Sequence, residues 1–496
     1  MYFNKTVLIR ICQWLLIGCI IGSIYMRITL FHIGYEYDEL FTAITTDPAF
    51  SLKWIYRHWL LVDVHPPLYN VLVWIWNHFV PYGPEIWLRL PSFLMGVGAL
   101  LCAWMGFPKR FGRIARLLFI VFLSCNLYAI AYSQHARSYM LVLLLAVPLT
   151  FLFVNISNKV VRNFAVCRRE WIGFAGLSVL LCWSHYFGAL LFGAFAVVLL
   201  VQTIYYKRNL KYFMLVPAVV LTLFLPWLIP NFIAQLEFHR LSGNWWANQA
   251  PYWHSLLTLM IYWTGSFKGA IVMGSLLLIM VLERKIIHTQ KILFWRKEQI
   301  ALGLVLGIFI LCVALISIKI YMFINRYFVV LLPVVYLMLA LFFAPLFRRR
   351  VIVGLGIVVF VLCELENFWA QHTDYLTRGD LKMPARMVSQ MYRDRFPGKA
   401  MFVVAMEAFP PVTMPALYGF YVNQIYHLDI PVYELFSLEE KERNALLNSQ
   451  EEGVMWMPNC TEEKLQKLSL KWKNRSIYVT EQIGLVCFLE IGPEKS

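Results

Sequence analysis

The chain has 496 residues, of which 60% are hydrophobic and only 15% charged, and its mean hydropathy is +0.63. These values exclude a soluble globular domain and describe a polytopic membrane protein embedded in a lipid bilayer. The formal net charge of +16 is dispersed in short clusters between apolar runs rather than gathered on one soluble face, so it reports topology and no nucleic-acid partner is expected.

In chain order the basic clusters are Lys5 and Arg10, Lys109 to Arg116, Lys159 to Arg169, Lys207 to Lys211, Arg284 to Lys297, and Arg348 to Arg350. Each is expected to be a cytoplasmic turn. A helix needs roughly 20 apolar residues per crossing, and keeping every cluster on one side gives an all-α polytopic transmembrane bundle of about 11 spans. They fall near 8–30, 84–107, 115–133, 138–155, 171–187, 188–206, 211–231, 267–283, 299–320, 326–346 and 351–369. Together they make a transmembrane module over residues 1–370.

The first apolar segment lacks a small-residue cleavage site and is expected to be retained. The first outer loop, 31–83, contains two stretches too short to cross. Ser51 to Val62 and Leu68 to Val80, which carry Trp54, Trp59, Trp74 and Trp76, are predicted to be interfacial helices. This places the N-terminus in the cytoplasm. A second outer loop over 232–266 carries Arg240, Asn244, Trp245, Trp246, Trp253 and His254. It is read either as a cover over a bound ligand or as a Trp-anchored interfacial helix.

Residues 371–496 regain charges of both signs and are expected to form a small α/β extracytoplasmic domain. Its predicted strands are Met401–Ala405, Val454–Met457, Ile477–Thr480 and Leu485–Ile491, with a helix over Leu438–Leu447. Cys460 and Cys487 share this tail and are a candidate disulfide. The remaining cysteines have no metal-ligand spacing and read as small buried hydrophobes. No glycine-rich phosphate loop is present, so a nucleotide-driven reaction has no support.

Polar side chains suited to chemistry concentrate on the outer side. They lie in Tyr37-Asp38-Glu39, Asp63-Val64-His65-Pro66-Pro67-Leu68-Tyr69, Ser133-Gln134-His135-Ala136-Arg137-Ser138-Tyr139, Ser184-His185-Tyr186-Phe187 and Asn325-Arg326-Tyr327. Ionisable groups at membrane depth are costly unless partnered or functional. Arg137 and Arg326 have two readings each, a bidentate grip on a phosphate or an interfacial arginine reaching lipid headgroups. His65 precedes a double proline that fixes an extended backbone. It reads as a ligand contact or as a satisfied turn residue. His135 and His185 read as site residues or as hydrogen-bonded histidines at helix ends, and Tyr139 and Tyr186 as packing against a sugar or prenyl chain or as interface anchors. Arg89 reads as structural.

These pieces, in this order, with Arg89-Leu90-Pro91-Ser92 and Leu225-Pro226-Trp227-Leu228 between them, resemble bacterial membrane glycosyltransferases of the GT-C superfamily. The resemblance is to the protein O-mannosyltransferase-like family, glycosyltransferase family 39, which is similar to lipid A aminoarabinose transferases, and it covers roughly residues 1–350. It implies a GT-C fold in the bacterial cytoplasmic membrane. It also implies transfer of a hexosyl or pentosyl group from a polyprenyl-phosphate-sugar donor to a glycan, lipid or protein acceptor on the outer face.

Asp38 aligns with the family's catalytic aspartate. A phosphate leaving group needs little acid assistance, so one carboxylate acting as general base suffices for an inverting displacement. Glu39, about 100° away on a helix, and His65 are implied as supporting residues. Arg137, Arg326, His135, Tyr139, His185, Tyr186 and Tyr69 are implied to bind the donor's phosphate and sugar. Some family members carry a lysine between the histidine and the prolines, which this chain lacks. No cofactor is expected and no metal ligand is assigned, although Glu39, His135 and His185 are of a type that suits zinc or manganese. The alternatives are a lipid-linked sugar flippase or transporter, for which duplicated halves are missing, and a polysaccharide polymerase or ligase, whose key groups would fall later in the chain.

Overall fold

The computed structural model describes residues 5–242, 252–287, 297–319, 321–347, 350–377, 382–395, 401–405, 419–434, 441, 444–446, 452–457, 461–471, 475–483 and 486–493. In chain order the first half comprises α1 (Lys5–Met26), α2 (Tyr37–Thr45), α3 (Leu52–His58), α4 (Leu68–Asn77), α5 (Glu85–Gly106), α6 (Gly112–Cys125), α7 (Leu127–Tyr132), α8 (Tyr139–Val161), α9 (Arg168–Ser184) and α10 (Tyr186–Tyr205). There follow α11 (Leu210–Ser242), α12 (Tyr252–Trp263), α13 (Phe267–Ile287), α14 (Lys297–Ser317), a 3₁₀ turn (Asn325–Leu331) leading into α15 (Leu332–Phe347), α16 (Val351–Thr377) and α17 (Lys382–Arg395).

Among the described residues eight helices are long and apolar enough to cross a membrane: α1, α5, α8, α10, α11, α14, α15 with its 3₁₀ lead-in, and α16. The three other expected spans exist as shorter units. α6 has 14 residues and α9 has 17, about 21 and 26 Å of helix against a hydrocarbon core of about 30 Å. The apolar stretch of α13 covers Phe267–Ile279.

Local chemistry explains the breaks. At the α6–α7 junction the Asn126 side chain accepts from Ala129 N at 3.0 Å, supplying the acceptor that an interrupted helix in an apolar surrounding lacks. At the α9–α10 junction His185 Nδ1 accepts from Phe187 N at 3.1 Å in the same way. The two helices meet so closely there that a Cβ on Gly188 would lie 2.5 Å from the Leu181 carbonyl oxygen, which requires glycine. α8 is apolar on every side and sits at the centre, packed by α5, α9, α10, α14 and α15.

The expected interfacial helices form as α3 and α4, with Ser51 capping the first and Pro67 at the N-cap of the second. Residues 232–266, expected to form a second outer loop, carry helix on both sides of 243–251, which lie outside the described residues. α11 runs on as helix to Ser242, through good helix formers such as Ala234, Gln235, Leu236 and Glu237, and α12 occupies Tyr252–Trp263. Asn244, Trp245 and Trp246 lie outside the described residues.

The tail forms a five-stranded sheet in the order β2-β1-β3-β5-β4, from β1 (Met401–Ala405), β2 (Val432–Glu434), β3 (Glu452–Met457), β4 (Arg475–Ile483) and β5 (Val486–Pro493). β1 pairs in parallel with β2 and β3, while β3–β5 and β4–β5 are antiparallel. The three-residue β2 is the strand that the hydrophobic pattern does not reveal. α18 (Glu462–Lys471) lays Leu468 on a small core with Met455, Met457, Leu489 and Ile491. The helix expected over 438–447 lies largely outside the described residues. Cys487 is disulfide-bonded, and Cys460, its expected partner, also lies outside them.

The tail is not separately packed. Ala385, Val388, Phe420, Tyr421 and Val422 join the same continuous core as the membrane helices. Tyr421 also reaches the chain between α1 and α2 and the start of α5, where its hydroxyl accepts from Tyr35 N at 2.6 Å and donates to Glu85 Oε1 at 3.0 Å.

Candidate active site

The site is built at one end of the bundle, on the first turn of α2. A capping box starts this helix: Glu36 N donates to Glu39 Oε2 at 3.1 Å. The turn directs its two carboxylates to different partners. Glu39 is fully buried and takes both arms of Arg89, from Nε to Oε1 at 2.8 Å and from Nη2 to Oε2 at 2.6 Å, plus Ala136 N at 2.8 Å. The same guanidinium donates to the carbonyls of Leu30 at 2.8 Å, Ile33 at 2.7 Å and Gly34 at 3.0 Å, so this pair ties the chain after α1 to α5. Burial raises the Glu39 carboxyl, but the charge and hydrogen bonds of Arg89 outweigh it and bring the pKa to about 2.

Asp38 is different. Its side chain keeps 29% exposure, and Oδ2 accepts from Arg326 Nη1 at 2.7 Å. Burial pushes its carboxyl up, and the positive charges of Arg137 and Arg326 pull it below the usual aspartate value. It is therefore ionised near neutral pH and able to accept a proton.

Arg137 links Asp38 to the histidines. Nη1 donates to the Asp38 carbonyl and to Thr42 Oγ1, both at 3.3 Å, and Nη2 donates to His65 Nδ1 at 3.0 Å. His65 Nδ1 thus acts as an acceptor. Burial and the Arg137 charge lower the His65 pKa, and Asp63, 3.5 Å away, offsets this only in part, so the ring is neutral at pH 7. The His65 ring lies 4.9 Å from that of His185, which lies 4.9 Å from Tyr327. His185 is lowered well below its ordinary pKa by burial and then by His65, Arg137 and Arg326. His185 Nε2 and the Tyr139 hydroxyl, on rings 6.3 Å apart, are buried with no hydrogen-bond partner among the described residues. A buried polar atom without a partner is costly, and such atoms at a cleft mark where a ligand's polar groups fit.

His65, His185 and Tyr327 form the polar floor of a cavity of about 240 Å³. Its walls are apolar side chains of α10, α11 and α14, including Phe187, Leu228, Leu236 and Ile316. The charged centre therefore adjoins an apolar cavity through His65, which bonds Arg137 and lines the cavity.

Of the residues singled out in the sequence, Asp38, His65, Arg137, Tyr139, His185 and Arg326 converge here. His135 stands at the rim, its Nε2 3.7 Å from Glu36 Oε1. Tyr186 lines the cavity with its ring while its hydroxyl donates to Asn231 Oδ1. Tyr69 is turned into the packing, sharing a 2.8 Å hydrogen bond with Ser92. Glu39 supports from below through Arg89. The side chains of Arg240, Trp253 and His254 lie outside the described ones.

Sequence reasoning placed Asp63 and Tyr327 in the polar segments without giving them a role, and did not single out Asn231. Asn231 Nδ2 donates to the carbonyls of Leu61 at 2.8 Å and Asp63 at 2.9 Å, holding the His65 turn against α11. The available signal was a lone asparagine in an apolar helix. Among the described residues no three His, Cys, Asp or Glu side chains converge on a point that would hold a metal ion.

No protein-family model matches the chain, and no curated protein sequence matches it. Its three-dimensional form does have relatives. The crystal structure of ArnT from Cupriavidus metallidurans in the apo state is similar with a TM-score of 0.61 at 12% identity, covering 96% of this chain and 97% of that chain. ArnT from the same organism bound to undecaprenyl phosphate gives 0.59 at 12% identity, with the same coverage. This is the GT-C fold. The likeness spans the tail as well as the membrane helices. Within the GT-C fold, Asp38, Arg137 and Arg326 come from three separated segments: α2, the α7–α8 turn and the lead-in to α15.

Proposed function

We propose that this chain is a multi-pass glycosyltransferase of the bacterial cytoplasmic membrane, with its N-terminus in the cytoplasm and its tail outside. It moves a sugar from a polyprenyl-phosphate-linked donor to a glycan, lipid or protein acceptor at the outer face. The observation that carries this reading is the adjacency of an ionised, partly exposed carboxylate, two guanidinium groups and an apolar intramembrane cavity. The cavity suits a prenyl chain and the arginines suit its phosphate. The ArnT structure bound to undecaprenyl phosphate supports a carrier of this class.

In the proposed step the acceptor oxygen attacks the anomeric carbon as the bond from that carbon to the phosphate oxygen breaks, with inversion. The acceptor's proton passes to Asp38, and the electron pair of the broken bond leaves on the polyprenyl phosphate, whose charge Arg137 and Arg326 stabilise. Neutral His65 and His185 have N–H groups for the phosphate or sugar oxygens. Glu39 is excluded as the base because both of its oxygens are held by Arg89 and backbone amides.

The test is transfer of radiolabelled sugar from a panel of polyprenyl-phosphate sugars in membranes carrying the wild type or Asp38→Asn at matched expression. Transfer by the wild type and a loss of about 10²–10⁴-fold in the variant is expected. Equal transfer by both would remove Asp38 from the mechanism. Movement of the lipid-linked sugar between leaflets without transfer would make the protein a flippase.

A further inference from the structure

A second cavity lies away from this site, between α1, α5 and α6. It measures about 860 Å³ and is lined along α1 by Gln13, Ile17, Ile20, Ile21 and Ile24. α5 contributes Val97, Leu100, Leu101 and Trp104, and one face of α6 from its first turn contributes Arg113, Arg116 and their apolar neighbours. The gap exists because α1 and α5 both pack against α6 without closing on each other. From Gln13 to Ile24 the groove runs about 16 Å along α1, close to half of a hydrocarbon core of about 30 Å. It is therefore as deep as one leaflet.

Its polar end is where α5 stops and α6 starts. Arg113 and Arg116 are there with Gln13 and Trp104, and the Arg116 guanidinium sits 4.4 Å above the Trp104 ring. No carboxylate lines the groove. Two other cations of the basic turns are matched within the protein, Arg110 with Glu298 at 3.5 Å and Lys159 with Glu170 at 2.7 Å. Arg113 and Arg116 have no ion pair among the described residues. Two unneutralised arginines over a leaflet-deep apolar groove complement a molecule with an anionic head and an acyl tail.

We propose that this groove is a binding site for one anionic glycerophospholipid of the surrounding leaflet, its headgroup phosphate between Arg113 and Arg116 and an acyl chain along α1. The site is separate from the Asp38 centre and does not depend on the reaction proposed above.

The test is native mass spectrometry of the full chain released from nanodiscs of equal parts phosphatidylglycerol and phosphatidylcholine. The wild type is expected to retain one phosphatidylglycerol in preference to phosphatidylcholine. Each cation near an anionic headgroup contributes roughly fivefold in affinity, so Arg113→Ala with Arg116→Ala should cut the preference by roughly thirtyfold. Leu101→Trp, which narrows the groove and leaves both arginines, should also weaken retention of the bound lipid and guards against misfolding of the double variant. Equal retention of the two lipids by the wild type, or undiminished phosphatidylglycerol retention in both variants, overturns the proposal. So does displacement of phosphatidylglycerol from the groove by equimolar undecaprenyl phosphate, which would make the site one for the carrier.

Discussion

Arg326 Nη1 lies 2.7 Å from Asp38 Oδ2, although the two residues are 288 positions apart. The pair is partly open, with side-chain exposures of 38% and 29%. One carboxylate oxygen is held by the guanidinium, an arrangement that keeps the group ionised.

Removing Arg326 should therefore move the acid limb of activity. With one of its two nearest cations gone, Asp38 is less strongly held below the ordinary aspartate value. In Arg326→Ala the pH at which activity falls on acidification should rise, alongside a lower rate at pH 7, and Arg326→Lys should restore the limb in part. A pH–rate profile of transfer checks this, and an unmoved acid limb would show that the pairing does not set the titration. The sign is that of a depressed carboxyl: the pair's contribution to stability is complete above the unfolded pKa and lost as pH falls through the folded one.

The Glu39–Arg89 pair should behave as a structural element. Its side chains have 0% and 4% exposure, and removing one partner strands a buried charge at a cost of about 3–5 kcal/mol. Glu39→Ala and Arg89→Ala should each lower the thermal midpoint of the detergent-solubilised protein substantially, and the double variant should lose less than the sum. The Glu39 contribution is present above the carboxyl's ordinary value of 4.5 and disappears toward about 2. Additive losses would contradict the pairing.

His65 should matter as an acceptor for Arg137 more than as a charge. Because its folded pKa lies below the ordinary 6.5, it stabilises the fold above that value and loses the contribution as pH falls. His65→Gln keeps an acceptor for Arg137 and should retain more transfer than His65→Ala, with the difference mainly in the KM for the donor. Identical kinetics in the two variants would argue against this role.

Tyr421 should couple the tail to the catalytic loop. Tyr421→Phe leaves Tyr35 N without its 2.6 Å acceptor and takes a donor from Glu85, a loss of about 1–3 kcal/mol for an unsatisfied buried group. Faster proteolysis of the tail and a lower unfolding midpoint are expected. Wild-type values in both would mean that the hydrophobic contacts of Phe420 and Val422 suffice for docking.

Hydropathy and charge spacing along the chain determined the membrane class, the approximate position of the long apolar helices, the two short helices α3 and α4 and four of the five described strands. These features rest on local periodicity and on the energy of burying each segment, which neighbours in sequence decide. Motif order also brought Asp38, His65, Arg137, His185 and Arg326 forward as a group. Tertiary structure alone decided which of two adjacent carboxylates is buried and which faces the cleft, because Arg89 comes from α5 to claim Glu39 and Arg326 comes from the turn before α15 to meet Asp38. It also decided that α11 extends beyond the expected loop boundary, that Asn231 braces the His65 turn, and that Tyr421 docks the tail beside Tyr35. Such pairings depend on how distant helices pack, and no pattern within one segment encodes its partner in another.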